Sequence, residues 1–466
     1  MAAVGGRPRR PTTSNGEHKE QGRCDQFHAA TWRERYGGHL RRMDYDVAIV
    51  GASIAGCTAA TFLGRQGAKV ALIESHSDPA AFKRMCTHFI QASSAPTIAR
   101  LGIEQALTEA HARRTDTNIW TRYGWVSFGR ESARPPMSEW RPWNVRREKL
   151  DPILRDLAAS TDGVQMLLGH TVNAVVRDGE RVTGVRTRER NGDEHEISAK
   201  LVVAADGRDS EMAKLAGVRT KLKTHNRFGY MAYYRDTPLV TGDSAQMWLL
   251  DPDVAYAFPT DSELVCLAVF AHKDKLPSFK PDPEQGMARL FETLPDGPRL
   301  DPDKRVSKVI GKLEMPNTVR QTTQPGLALV GDAALAADPL WGVGCGWAFQ
   351  SAEWLAEAVG PSLHGGPADV DAGLERYRKR HRKGLAAHEK FTSEYSRGRR
   401  FNPGEKLIFR AAARDQEIAH RMGLMGERWI SPQSALSPRT LARAVRVNLS
   451  RRAAPLGLRR TASVAS

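Results

Sequence analysis

Residues 45–74 read YDVAIVGASIAGCTAATFLGRQGAKVALIE. Val47-Ala48-Ile49-Val50 is an unbroken apolar run and predicts a buried strand. A tight turn follows, Gly51-Ala52-Ser53-Ile54-Ala55-Gly56, then an Ala-rich helix predicted over Ile54–Gln66. A second apolar strand, Lys69–Ile73, ends on Glu74. Strand, glycine turn, helix, strand and terminal acid together make a dinucleotide-binding βαβ unit. The turn presents backbone N–H groups to a pyrophosphate at the positive end of the helix. Glu74 stands where an acid accepts from an adenosine ribose. One position departs from the pattern. Ser53 replaces the middle glycine, which ordinarily lets backbone and pyrophosphate approach closely.

Around this unit the 466-residue chain has the length of one large domain or two to three interleaved ones, with an apolar fraction of 41%, enough for a sizeable core. It has no run of about 18 apolar residues that would predict a membrane span, so no stable membrane insertion is expected. Nor does it open on the apolar stretch of a secretory signal. Cys24, Cys57, Cys86, Cys266 and Cys345 are scattered without a CxxC or Cys/His cluster. That pattern argues against a disulfide framework or a bound metal and for a reducing, cytoplasmic setting. The net charge of +16 raises nucleic acid as a partner, but much of the excess lies at the ends: the stretch from Ser434 holds seven arginines and no acid. Solvated charge is the simpler account, and no nucleic-acid partner is expected.

Residues 1–42 are polar and Arg-rich, without apolar periodicity, and are expected to be a disordered extension. Met43, just before the first strand, is a candidate start, and Glu17, Glu20, Asp25 and Glu34 count against a transit peptide. The expected organisation is an α/β Rossmann-type dinucleotide-binding domain in three pieces, 43–118, 149–222 and 316–365. Between them lies an antiparallel substrate domain, 119–148 and 223–315. A charged helical region (366–433) and a basic flexible tail (434–466) complete the chain. A helix is predicted from Ser93-Ser94 through Ile98, Leu101 and Leu107. The rings between Trp120 and Trp143 alternate as in strands, lining a flat apolar pocket or, for at least half of them, packing as ordinary strand core, and Tyr256 and Phe258 are expected to face the pocket in alternation with their neighbours.

Two more turns follow apolar strands far downstream: Asp206-Gly207 after Leu201–Ala204, and Gly331-Asp332 after Leu327–Val330. In an open α/β sheet, ligands collect at the carboxyl ends of strands. Three such ends converging on one extended ligand suit a flavin dinucleotide.

With these motifs in order, the chain from about Tyr45 to Val359 resembles the flavoprotein monooxygenases of the p-hydroxybenzoate hydroxylase type. That family shares its fold with geranylgeranyl reductases and flavin-dependent halogenases. The likeness extends to bacterial FAD-dependent oxidoreductases carrying Thr87-His88-Phe89-Ile90 and the segment DPLWGVGCGWAFQSAEWL, residues 338–355. The resemblance implies FAD as cofactor and NADH or NADPH as a transient reductant. It implies that Gly51, Ser53, Ile54, Ala55 and Gly56 meet the pyrophosphate and Glu74 the ribose. Arg84 and Arg147 would lie near the flavin, and Asp206 and Gly207 would form the family's DG motif. Gly331 and Asp332 would meet the ribityl chain, and Pro339, Gly342, Gly344 and Cys345 would lead a helix N-terminus to the flavin ring. Reduced flavin carries negative charge at that edge, which a helix N-terminus stabilises.

Trp248, Tyr256, Phe258 and Trp341 are the expected substrate-pocket residues. His88 is a candidate catalytic group beside the flavin, its alternative being a packed, hydrogen-bonded histidine. Leu335 stands where members of this family often carry histidine, and the halogenase WxWxIP signature is absent. The implied activity is NAD(P)H- and O2-dependent oxygenation of an apolar, aromatic small molecule. An alkene reductase of the geranylgeranyl type is a second reading, and a flavin-binding interaction protein without turnover is a third. Neither the substrate nor the oligomeric state is encoded in a recognisable motif.

Overall fold

The computed structural model describes residues 41–129, 135, 136, 138–450, 456 and 457. The expected extension 1–42 therefore lies outside the description up to residue 40. The first strand begins two residues before Met43, as Arg41–Val50. It pairs in parallel with Glu194–Ala204 on one side and Val70–Glu74 on the other. Leu327–Leu329 joins beyond Glu194–Ala204, and Val164–Leu168 beyond Val70–Glu74. The register brings Val50, Ile73, Ala204 and Leu329 to one level. Four strand ends thus open onto the same side, although they come from three parts of the chain more than 100 residues apart.

The helix Ile54–Arg65 is buried along nearly its whole length. It packs against helices Arg147–Ala159 and Val343–Val359. Apolar residues on every face suit a helix enclosed on all sides. Leu63 is fully buried there, so truncation to alanine costs about 2–5 kcal/mol.

A second, seven-stranded sheet carries Ile310–Lys312, Arg227–Tyr234, Val265–His272, Val254–Pro259, Ala245–Leu249, Thr117–Thr121 and Gly124–Val126, in that order. One face packs on Phe279, Met287 and Phe291 around helix Pro283–Glu292. The other receives Phe401 from a loop and Ile408, Phe409, Ile418, Met422 and Ala444 from the C-terminal helices.

Three local expectations change. The helix through Leu101 and Leu107 is two helices, Ala95–Leu101 and Glu104–Glu109, because Gly102 turns left-handed at φ +78°. Trp143 leaves the second sheet and pairs with Ile90 and Arg114 in a small sheet. The expected flexible tail from 434 contains a helix, Pro438–Leu449, capped by the Ser437 hydroxyl on the Thr440 N–H. Ser437-Pro438 is a helix-start signal that the arginine-rich composition masks.

Candidate functional site: a cleft at four strand ends

A cavity of about 740 Å³ lies beyond those four strand ends. Its wall includes Gly51, Ser53, Ile54, Ala55, Glu74, Asp206 and Gly207. From the later part of the chain it includes Asp332, Pro339, Gly342, Gly344 and Cys345. Most of the cofactor-binding residues expected from sequence thus come together there.

The first turn is held from behind. Gly51 has φ +104°, and a Cβ there would stand 2.6 Å from the Ala205 carbonyl oxygen. Only glycine satisfies both demands. Gly56 lies behind the turn, close to the Gly51 carbonyl and the Ala205 methyl. The Glu74 carboxylate accepts from the Ala52 N–H at 2.9 Å and, through its other oxygen, from the His76 N–H at 3.0 Å. The acid that ends the second strand therefore also pins the glycine turn. Arg155 donates to the carbonyls of Ala52, Pro79 and Ala81, fixing the same loop from the other side.

Ser53 occupies the N-cap position at φ −116°, where no glycine is required. Its hydroxyl oxygen accepts from the Arg147 guanidinium at 2.5 Å. Arg147 is itself buried and donates to both oxygens of Asp151, at 2.7 and 3.0 Å. The serine that breaks the glycine pattern thus ties the turn to a buried arginine–carboxylate pair. Asp151 also accepts from the Lys83 N–H at 3.1 Å.

Lys83, next to Arg84, lines the cavity. Its ammonium donates to Asp332 at 3.0 Å; Lys83 and Arg84 are both exposed, but Arg84 is outside the cavity wall. Burial pushes the Asp332 carboxyl up, but Lys83 and Arg208 outweigh it and hold it below the usual carboxylate range. Asp332 in turn raises the Lys83 ammonium. Asp206 is committed to its own turn: it accepts from the Ser210 hydroxyl at 2.6 Å and the Met212 N–H at 2.8 Å, and burial raises its carboxyl. Gly331 lies behind the wall, where a Cβ would press on the Ala55 methyl at 2.9 Å.

The loop into helix Val343–Val359 is set by a buried carboxylate. Asp338 accepts from His225 at 2.7 Å and from the Leu340 N–H at 2.7 Å, and its own N–H donates to Asn317. Arg227 lies 3.6 Å away. Burial works against the charge on Asp338, yet Arg227 and His225 keep its carboxyl below its ordinary value. Gly342, at φ +60°, then starts the helix without a side-chain cap, and Ser53 caps nothing at the start of the opening helix. First-turn N–H groups of two helices are therefore left for a ligand in the cleft.

The expected substrate residues lie elsewhere. Trp248 is fully buried on the sheet face that packs on Phe291, and its indole donates to the Pro295 carbonyl. Tyr256 donates to the Leu340 carbonyl at 2.5 Å and stacks on Phe258, which stacks on Phe89. Trp341 stacks on Phe391. None of the four lines the cavity; the apolar wall is Met85, Phe89, Met231, Phe270 and Met315. Trp120 and Trp125 also pack on the far face of the sheet. His88 is buried with both ring nitrogens engaged. Nδ1 accepts from the Arg147 N–H at 3.1 Å, so Nε2 carries the proton toward the Tyr233 hydroxyl. That is the packed histidine, outside the cavity wall.

His170, Glu189 and His195 bring potential ligand atoms within 4.8 Å of one another, although sequence spacing suggested no metal-binding group. The closest approach is the 2.6 Å hydrogen bond between His195 and Glu189. Among the described residues no helix is long and apolar enough to cross a membrane.

Comparison with known proteins agrees with this geometry. The FAD binding domain family profile matches residues 44–392. The chain is 26% identical over 334 residues to the digeranylgeranylglycerophospholipid reductase of Picrophilus torridus, covering 68% of this chain and 77% of the relative. It is 27% identical over 314 residues to the probable electron transfer flavoprotein-quinone oxidoreductase YdiS of Escherichia coli, covering 62% and 70%. In fold it is similar to a flavoprotein/dehydrogenase from Cytophaga hutchinsonii, with TM-score 0.72, 16% identity and coverage of 87% and 98%. It is also similar to p-nitrophenol 4-monooxygenase PnpA from Pseudomonas putida DLL-E4, with TM-score 0.68, 18% identity and coverage of 84% and 100%. The chain belongs to the FAD binding domain family and is an FAD-dependent oxidoreductase.

Proposed function

We propose that this oxidoreductase is a monooxygenase that uses NADH or NADPH and O2 to oxygenate a compact apolar, aromatic small molecule in a cytoplasmic setting. The observation that carries the reading is the end of the cleft beyond the helix N-terminus at Val343. It is walled by Phe89, Met231, Phe270 and Met315. The rest of that sheet face is filled by the chain's own residues, including Tyr256, Phe258, Phe401 and Phe409. A flat, short substrate suits this space better than a long chain.

The residues present fit FAD. The uncapped N-termini of Ile54–Arg65 and Val343–Val359 would hold the pyrophosphate and the flavin ring. Glu74 would meet the ribose, and Asp332 the ribityl hydroxyls. The chemistry that FAD would supply there is redox: hydride acceptance from nicotinamide and electron delivery to dioxygen. The chain's part is positional. Arg147 and Asp151 hold Ser53 and the turn, Asp338 sets the Val343 helix, and the methionine and phenylalanine wall keeps water from the reacting end. No second nucleotide-binding βαβ unit occurs among the described residues, so the nicotinamide would enter the shared cleft transiently.

The identity to digeranylgeranylglycerophospholipid reductase favours a second reading, an alkene reductase. Flavin bleaching by NADH and NADPH, followed by oxygen-electrode recording with candidate phenols, tests the proposal. Substrate-stimulated O2 uptake supports the monooxygenase; substrate turnover without O2 uptake supports the reductase.

A further inference from the structure

The cleft contains a feature that neither reading uses. Cys86 lies in the irregular segment between Glu74 and Phe89, and Cys345 is the third residue of helix Val343–Val359. Both line the cavity, and their sulfurs are 3.7 Å apart. The Cys86 sulfur also accepts from the His88 N–H at 3.3 Å. Cys57 and Cys266, by contrast, are fully buried in apolar cores. We propose that Cys86 and Cys345 are a redox-active dithiol in the flavin cleft, oxidised to a disulfide by hydrogen peroxide.

The geometry divides the roles. Cys86 receives a backbone N–H, which favours its thiolate, and its sulfur shares a hydrogen with the Cys345 sulfur. Its thiol is accordingly held well below the ordinary range, first by the Cys345 hydrogen bond and, against burial, by the His88 contact and the Arg147 charge. Cys345 is the protonated partner, pushed up by the same hydrogen bond and by burial. Burial is the largest cause raising the thiols of Cys57 and Cys266. The thiolate is the nucleophile, so selectivity follows thiolate character and access.

The Cys86 thiolate attacks one peroxide oxygen, the O–O bond breaks, and hydroxide leaves and takes up a proton. Cys345 then attacks the Cys86 sulfenic sulfur, forming the S–S bond and releasing the second oxygen as water. Overall two thiols and one hydrogen peroxide give one disulfide and two waters. Each sulfur loses one electron and each peroxide oxygen gains one. The proposal rests on the flavin reading only for the source of peroxide, which reduced flavin produces when O2 is consumed without oxygenating a substrate.

The test uses the full-length Cys24→Ser chain, flavin-free and flavin-loaded, treated with hydrogen peroxide while folded. Thiols are mapped by non-reducing peptide mass spectrometry. The expected product is a Cys86–Cys345 cross-linked peptide, reversed by dithiothreitol, with Cys57 and Cys266 still reduced. Cys86→Ser should slow thiol loss about tenfold or more, whereas Cys345→Ser should keep the first step within about twofold and leave a dimedone-trapped sulfenic acid at Cys86. The pH midpoint of the rate should lie below the free-thiol value of about 8.5. The proposal is overturned by absence of the cross-link in flavin-free folded protein, by equal oxidation of Cys57 or Cys266, or by an unchanged rate in Cys86→Ser. Because these readouts need neither nicotinamide nor substrate, they can fail while the flavin reading stands, and the reverse.

Discussion

Replacing Arg147 with methionine separates what this residue does for the fold from what it does for the cofactor. Arg147 and Asp151 are both buried, and the guanidinium makes two bonds to the carboxylate and one to Ser53. In Arg147→Met the Asp151 carboxylate keeps only the Lys83 N–H. A buried charge deprived of its partner costs about 3–5 kcal/mol. Adding Asp151→Leu removes the stranded charge, and replacing a whole buried pair by apolar residues is close to neutral, within about 1–2 kcal/mol here. Urea unfolding of the flavin-free protein should therefore show a large loss in the single variant and recovery in the double. FAD retention, read by gel filtration and flavin absorbance, should stay low in both, because neither variant holds the Ser53 hydroxyl. An Arg147→Met protein as stable as the parent would refute the buried-pair argument. A double variant that regains full FAD binding would refute the role given to Arg147 at the turn.

Other substitutions probe neighbouring parts of the cleft. Gly51→Ala forces a side chain into φ +104° and against the Ala205 carbonyl; stability should fall by about 1–3 kcal/mol and flavin occupancy with it. Ser53→Ala removes an acceptor from a charged donor, a loss of about 1.5–3 kcal/mol in the flavin-free protein by urea unfolding. The Lys83–Asp332 pair gives a pH test. Asp332 is depressed, so its contribution is present above the unfolded value and lost as pH falls through the folded one. Lys83 is raised, so its contribution is present below its unfolded value and lost as pH rises through the folded one. The stability difference between the parent and Lys83→Met should thus be flat between about pH 4 and pH 10 and shrink outside that window. Met231→Trp should block the apolar end, raising the substrate KM while leaving flavin absorbance unchanged.

The cofactor half of the cleft was legible because its signals are local and chemical. A glycine turn after an apolar strand needs no partner to be recognised, and parallel pairing then brought Val50, Ala204 and Leu329 to one level. The apolar half of the cleft was not legible, for a reason visible in the second sheet. Ala245–Leu249 and Val254–Pro259 are buried on both faces, so alternation along them says nothing about which side faces a ligand. Their register pairs Met247 with Tyr256 and Trp248 with Ala255, so Trp248 and Tyr256 point to opposite faces. The segment between Glu74 and Phe89 has no period to orient a side chain, so the pairing of Lys83 with Asp332 is not readable from sequence. The Cys86–Cys345 contact joins residues 259 apart in sequence, and no spacing rule reaches that far.

The most direct test of the monooxygenase reading is turnover under isotopically labelled dioxygen, with NADH or NADPH and a panel of phenols and aminobenzoates. Substrate-dependent O2 uptake with label in the organic product is the predicted result. Nicotinamide oxidation with substrate conversion but no labelled product, or a bound flavin that neither nicotinamide reduces, would contradict it.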